Sequence, residues 1–260
     1  MGPVVVCGAS FMAPAASPES LKGTHFSEII AKKLNTDLVV LSTGGCSNFS
    51  ISLQVEKAIQ LKASLILAGN TMPDRIEVPI HNLENKEYDV NIDDMVYHLE
   101  NFTSYRRTKS PKFISTSLQD FFCKETIKHL KQECSEINSK IKPIEQYFLS
   151  LYDFNLKRKL DSLIIYSYYH KLHVSNIPYF ICMEDMKSDG GEQCPWLYEN
   201  NKFNICYPRA EIGFICKNDV NLLSPYHTGI RSQQLIADLL LKKYQIFLLK
   251  RYHEVTNNRR

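Results

Sequence analysis

Four short segments of the chain contain residue types that catalytic sites use. Ser10 follows an apolar run in "VVVCGASF", Gly45 lies in "TGGCSN", Asn70 lies in "AGN", and His227 lies in "SPYH". A serine hydroxyl becomes a nucleophile when a base within hydrogen-bond reach accepts its proton, and His227 is the candidate base. The backbone N–H groups of Ser10 and Gly45 and the Asn70 amide are candidate donors to a tetrahedral oxyanion. Together these groups would suit acyl transfer.

Each of these residues also has a structural interpretation, which the sequence leaves open. Ser10 could cap a turn after a strand, as most serines in that position do. Gly45 could belong to an ordinary loop pair with the preceding glycine, and Asn70 could stabilise a turn. His227 could cap the last helix, although an imidazolium at a helix N-terminus opposes the helix dipole, which favours a neutral ring. The hypothesis of a site depends on whether the fold brings the segments together.

The N-terminal part of the chain predicts strands alternating with helices. Apolar runs predict three strands, and helical spacing of apolar residues predicts two helices between them, with strands at Val4 to Cys7, Leu38 to Leu41 and Ser64 to Ala68. This alternation indicates right-handed crossovers and a parallel sheet with helices on both sides. Ligands of such sheets bind outside the carboxyl ends of the strands. Ser10, Gly45 and Asn70 all follow predicted strand ends, so we expect them to lie at one edge.

The rest of the chain predicts a continuation of one domain spanning residues 1–260. Helical patterning returns at about 118–136 and 143–173, a fourth strand is predicted at 178–183, and a final helix at about 229–251. Two polar stretches without a sustained period, at about 75–112 and 184–210, are interpreted as irregular excursions. Arg75 and Glu77, after the third strand, could contact a substrate, but they are expected to pair with each other. Tyr166, Tyr168 and Tyr169 could form a platform for a sugar, but they are expected to serve helix packing.

Composition argues against several classes of partner. The 260 residues are 44% hydrophobic with a net charge of +3, so no strong field indicates a nucleic acid or an anionic membrane surface. The eight cysteines include no CxxC pair, which gives no signal for a metal site. Several cysteines lie in apolar runs typical of reduced thiols, and the N-terminus lacks the basic region of a signal peptide. No stretch has the length and apolarity of a membrane span. We therefore expect cytoplasmic synthesis.

The four segments, in this order, resemble the sequence blocks of the SGNH (GDSL-like) hydrolase superfamily. "GASF" is similar to the block usually written GDSL, "GGCSN" to the glycine block, "AGN" to GxND, and "SPYH" to DxxH. The resemblance implies a three-layer α/β/α sandwich with a central, mostly parallel sheet of flavodoxin-like order. It also implies an esterase or O-deacetylase that uses a Ser10–His227 pair to hydrolyse an acyl ester, with no cofactor or metal.

The run from "GCSN" to "PDRIE" also resembles variants associated with bacteriophage genomes. That resemblance implies an acetylated polysaccharide as substrate and incorporation in a virion, with virion proteins as partners. These implications rest on analogy between folds, which by itself does not establish function.

The chain departs from the family pattern in ways that affect the hypothesis. Three departures fall at positions that mainly shape turns, namely Ala9, Ala68 and Thr71. A fourth places Ser224 where the family has an aspartate that orients the histidine, and losing that carboxylate costs serine proteases roughly 10⁴ in turnover. Asp219, a backbone carbonyl or a water could substitute. Two hypotheses follow: an active esterase, or a catalytically inactive SGNH-fold structural or glycan-binding component of a virus particle.

Overall fold

The computed structural model describes the residues that form the sheets and the helices around them. These are residues 2–14, 22–71, 73, 75–79, 95–98, 104–106, 113–117, 139–182, 203–206 and 229–257. His227, Ser224 and Asp219 lie outside the described residues, as do the helix predicted at 118–136 and most of the stretch at 184–210.

Five parallel strands form the central sheet. The nine strands of the described chain are β1 (Val4–Cys7), β2 (Leu38–Val40), β3 (Leu65–Ala68), β4 (Arg75–Pro79), β5 (Met95–His98), β6 (Ser104–Arg106), β7 (Phe113–Ser117), β8 (Tyr179–Cys182) and β9 (Ile205–Cys206). The central sheet has the order β2-β1-β3-β8-β9, and every pairing in it is parallel. This is the strand order of flavodoxin-like doubly wound sheets.

Helices cover both faces of this sheet. The described chain contains a 3-10 turn (Ser10–Met12) and five α-helices, α1 (Phe26–Lys33), α2 (Asn48–Gln60), α3 (Ile141–Ser150), α4 (Phe154–Val174) and α5 (Ile230–Asn257). The helix predicted at 143–173 is two helices, because the chain breaks before Asp153, whose side chain accepts a hydrogen bond from the Leu156 N–H and caps α4. The predicted final helix is confirmed.

The core consists of two apolar clusters, one on each face of the central sheet. On one face, Val5 and Ile66 pack with residues of α2 and α4. On the other face, Val4 and Leu67 pack with residues of α1 and α5. Because β1, β3 and β8 are buried on both faces, they appear in the sequence as continuous apolar runs. The predicted three-layer α/β/α class is confirmed.

A second sheet corrects the interpretation of residues 75–112 as irregular. β4, β5 and β6 lie in this stretch and join β7 in the order β4-β7-β5-β6, with β7 antiparallel to β4 and parallel to β5. These strands mix polar and charged residues with apolar ones, so they lack the continuous apolar runs that mark the strands of the central sheet. The second stretch predicted as irregular, 184–210, contributes β9 to the central sheet.

No helix in the described parts of the chain combines the length and apolarity needed to cross a membrane.

Candidate active site

Three of the predicted site residues follow adjacent strands of the central sheet. Ser10 comes after β1, Gly45 after β2 and Asn70 after β3, and β1 lies between the other two strands. After β1 the chain forms β2 on one side of that strand, and it then forms β3 on the other side. This reversal of strand order creates the crevice in which doubly wound sheets bind ligands.

Ser10 is presented by a short turn whose other residues are buried. It begins the 3-10 turn directly after Ala9, and Phe11 and Met12 both point into the core. The Ala13 N–H donates to the Ser10 carbonyl at 3.1 Å, and this hydrogen bond closes the turn. Ser10 itself is partly exposed, and within the described part of the chain no group hydrogen-bonds to its hydroxyl. The side chain therefore does not cap this turn.

His25 ties the Ser10 turn to the start of α1. Its Nε2 lies 3.2 Å from the Phe11 carbonyl oxygen, and its Nδ1 lies 2.7 Å from the Ser27 hydroxyl. Glu28 completes a capping box by accepting from the His25 N–H at 3.0 Å. The sequence signature of a capping box begins with serine, threonine, aspartate or asparagine, so a histidine in this position gave no such signal. The turn that carries Ser10 is thus anchored to a helix.

Gly8 joins the end of β1 to its neighbours. Its N–H donates to Gln54 Oε1 at 2.6 Å, and its carbonyl accepts from the Thr43 N–H at 3.0 Å and from Cys46 Sγ at 3.2 Å. Gly8 has φ +142°, and a Cβ there would lie 2.5 Å from Met12 Cγ. Only glycine fits this conformation and this space without strain.

Gly45 allows the chain to turn from β2 into α2. It adopts φ +80°, in the left-handed region that favours glycine, and it is buried. Two residues later Ser47 caps α2, its hydroxyl accepting from the Ser50 N–H at 3.1 Å. The turn therefore places the N-terminus of α2, with its partial positive charge, close behind the glycine block.

Asn48 holds the chain immediately after Asn70. The Asn48 Nδ2 donates to the Thr71 carbonyl at 2.9 Å, and the Thr71 N–H donates to Asn48 Oδ1 at 3.1 Å. Nδ2 also donates to Asp161 Oδ2 at 3.0 Å, and Asp161 forms an ion pair with Lys157. Asn48 and Asp161 are almost completely buried. This buried network joins β3, α2 and α4 beneath the predicted site.

Asn70 is bound by two tyrosines of α4. The Tyr168 hydroxyl donates to Asn70 Oδ1, and the Tyr169 hydroxyl lies 3.0 Å from Oδ1 and 2.8 Å from Nδ2. Both tyrosines were predicted to serve helix packing, and both are fully buried against the sheet. The sequence gives no signal of their hydrogen bonds to Asn70, because these join residues that are far apart along the chain.

Glu77 of β4 reaches the start of α2 and titrates near neutrality. Its carboxylate accepts hydrogen bonds from the Ser47 hydroxyl and, at 3.4 Å, from the Ser50 hydroxyl. Burial raises the pKa of Glu77 from 4.5 to about 7, although the Ser47 hydrogen bond and the charge of Lys157 act in the opposite direction. The expected pairing with Arg75 is replaced by these contacts with the two serines.

Among the described residues, no group of three or more His, Cys, Asp or Glu side chains is placed so that it could hold a metal ion.

Comparison with known proteins adds little to this geometry. Neither a protein-family model nor a curated protein matches the chain in sequence. In structure, the chain is similar to a carbohydrate esterase whose active site is described as displaying "divergent catalytic and non-catalytic binding functions". The two share 11% sequence identity with a TM-score of 0.41, over 94% of this chain and 68% of that one. A likeness this distant does not bear on function.

Proposed function

We propose that this protein is a serine ester hydrolase with Ser10 as its nucleophile. The observation that carries the proposal is the partly exposed Ser10 hydroxyl, which follows β1 at the topological switch point and has no hydrogen-bond partner among the described residues. A hydroxyl in this position is open to a base and to a substrate carbonyl.

The neighbouring residues supply the groups that an oxyanion requires. Gly45 follows β2 in the left-handed backbone conformation, and Asn70 follows β3 with a carboxamide bound by the hydroxyls of Tyr168 and Tyr169. Together with the Ser10 N–H, these donors would stabilise the negative oxygen of a tetrahedral intermediate. Donors held rigidly before reaction need no reorganisation when the charge develops.

The proposed reaction follows the usual course of acyl transfer through serine. Ser10 Oγ attacks the carbonyl carbon of the ester, and the Ser10 hydroxyl proton passes to His227. The tetrahedral intermediate then expels the alcohol, which takes that proton, and an acyl-Ser10 ester remains. Water, deprotonated by His227, hydrolyses this ester and releases the carboxylic acid. The role of His227, and of Ser224 or Asp219 in orienting it, rests on the sequence.

The proposed substrate is an acyl ester with a small acyl group, an O-acetyl ester on a carbohydrate being the class that the sequence resemblance suggests. Hydrolysis of para-nitrophenyl acetate would test the chemistry alone. Release of acetate from an acetylated polysaccharide, compared with the same polymer after chemical deacetylation, would test the carbohydrate. Turnover of the small ester without release from the polymer would retain the esterase and reject the carbohydrate substrate.

Labelling with a fluorophosphonate probe tests Ser10 directly, because such probes modify activated serines. We expect the probe to add to Ser10 and to be absent from Ser10→Ala, which would also lose ester turnover. Ser64→Ala is the matched control, since Ser64 lies at the opposite end of β3 and its hydroxyl donates to the Pro3 carbonyl at 3.2 Å. Labelling and turnover should survive in that variant.

An unreactive Ser10 between about pH 6 and 9, in a protein that is folded, would overturn the hydrolase. The chain would then fit the second hypothesis, a non-catalytic component that uses the same fold.

A further inference from the structure

Two tyrosine hydroxyls bind the side-chain amide of Asn70, and a residue that merely ended a turn after β3 would not need them. Tyr168 and Tyr169 are consecutive residues of α4, and successive residues of a helix point about 100° apart. Their hydroxyls nevertheless converge on one carboxamide, with the two rings at 78° and 5.1 Å between centroids. Two buried side chains therefore bind a single, partly exposed group.

These hydrogen bonds determine which way the carboxamide faces. Both tyrosine hydroxyls lie within hydrogen-bond distance of Oδ1, so this oxygen is directed at α4. Rotating the amide by 180° would remove the acceptor to which Tyr168 donates. The Tyr168 bond therefore favours one orientation of the amide over the other, and the Tyr169 hydroxyl, which is within hydrogen-bond distance of both amide atoms, helps to hold the group in place.

The same arrangement leaves part of the amide available as a donor. Nδ2 carries two hydrogens, of which one is directed at the Tyr169 hydroxyl, 2.8 Å away. Elsewhere in the described chain no residue accepts a hydrogen bond from Nδ2. Hydrogen bonds accepted at Oδ1 also polarise the amide and strengthen its N–H groups as donors. The second hydrogen of Nδ2 is thus free to bind a developing negative charge.

We propose that Tyr168 and Tyr169 are positioning residues that hold Asn70 as an oxyanion donor. The proposal rests on the proposed hydrolase function, in which Asn70 stabilises the tetrahedral intermediate. In this proposal the tyrosines act on the reaction through Asn70, since both side chains are fully buried. A purely structural role, in which Asn70 simply satisfies two buried hydroxyls, would affect stability without affecting the transition state.

Kinetics of phenylalanine variants test the proposal, because phenylalanine keeps the buried ring and removes only the hydroxyl. With para-nitrophenyl acetate, Tyr168→Phe and Tyr169→Phe should each lower kcat about tenfold, the scale of one hydrogen bond, and leave KM nearly unchanged. Asn70→Ala should lower kcat about 10²- to 10³-fold. Tyr179→Phe is the control, since the Tyr179 hydroxyl is near His173 Nδ1 and contributes nothing to Asn70.

A double-mutant cycle separates positioning from packing. If the tyrosines act through Asn70, then adding both phenylalanines to Asn70→Ala should produce no further loss of kcat. A loss of the same size in both backgrounds would overturn the proposal, as would phenylalanine variants that lose stability but keep the wild-type kcat.

Hydrogen exchange of the Asn70 side-chain amide, measured without substrate, tests the role of the tyrosines separately from the proposed hydrolase activity. The side-chain NH₂ signal of Asn70 can be assigned in ¹H–¹⁵N spectra from its absence in Asn70→Ala. We expect its hydrogens to exchange with solvent about tenfold faster in the double phenylalanine variant, the scale of one lost hydrogen bond. If the wild-type protein hydrolyses no ester, the hydrolase is rejected, whereas unchanged exchange rejects the tyrosines as positioning residues.

Discussion

At the scale of single residues, burial gives ordinary side chains unusual properties around the N-terminus of α2. Glu77 is the clearest case, since it lies against Ser47 and Ser50 with its pKa raised from 4.5 to about 7. Its protonated form is favoured in the folded protein relative to the unfolded chain. Glu77 therefore links the stability of this region to pH near neutrality.

We expect Glu77 to make folding less favourable as pH rises. Below about pH 4.5 the carboxyl is protonated in both states, and between 4.5 and 7 only the unfolded chain releases the proton, so stability falls across this window and levels off above it. Glu77→Gln should remove this slope. Its free energy of unfolding should match the wild type below pH 4.5 and exceed it above pH 7 by up to about 3 kcal/mol.

Urea denaturation at several pH values would measure this difference. Glu56→Gln serves as the control, because Glu56 lies on the exposed side of α2 in an ion pair with Lys171. Parallel curves for Glu77→Gln and the wild type across the window would contradict the prediction.

At the scale of elements, the ends of β1 and β3 approach each other so closely that the connecting residues must be small. Met12 lies between Gly8 and Gly69, and a Cβ on either glycine would fall within 2.8 Å of Met12 side-chain carbons. The Gly69 N–H also donates to the Cys7 carbonyl at 3.0 Å. This packing sets the position of the Ser10 turn relative to Asn70.

Gly8→Ala should therefore destabilise the protein more than the same substitution at a glycine that has a positive φ but has room for a Cβ. Gly23 is the matched comparison, since it has φ +83° but a Cβ there would meet no atom within 4 Å. We expect Gly23→Ala to cost about 1 kcal/mol from backbone strain, and Gly8→Ala to cost a further 1–3 kcal/mol or so from overpacking. Thermal and urea unfolding would compare the two, and equal losses would show that Met12 adjusts without penalty.

At the scale of the whole molecule, the candidate site combines residues that are far apart along the chain. Asn70 binds tyrosines 98 and 99 positions later, and Asn48 binds Asp161 at a separation of 113. α4 thus holds the end of β3 and the start of α2 from one face, while α1 and α5 cover the other. The geometry at the sheet depends on complete folding of the described core.

The same core protects four cysteines, and their reactivity reports on its integrity. Cys7, Cys46, Cys182 and Cys206 are thiols with at most 2% of their surface exposed. In native protein they should resist alkylation by iodoacetamide, and they should react completely after unfolding in urea, because the reagent must reach the sulfur. Peptide mass spectrometry would identify the modified positions. Rapid native alkylation of Cys7 or Cys46 would contradict the packing around Gly8.

Local sequence patterns determined the first three strands, the first two helices and the fourth core strand. These elements are apolar runs or helical stripes whose period is contained within each segment, so neighbouring residues suffice to predict them. The placement of Ser10, Gly45 and Asn70 after strand ends followed from the same patterns and from the rule that parallel strands share one carboxyl edge. The roles of His227, Ser224 and Asp219 remain predictions.

Only the tertiary structure decided the second sheet, the environment of Glu77 and the two tyrosines that bind Asn70. The strands of that sheet mix polar and charged residues with apolar ones, and β4 pairs with β7 across an intervening segment, so no continuous apolar run marks them. Tyr168 and Tyr169 are indistinguishable in sequence from other buried tyrosines, since their partner lies on a different element. Hydrogen bonds between residues that are far apart along the chain depend on how helices and strands pack together. The residues around each position do not determine that packing, so these hydrogen bonds cannot be predicted from local sequence.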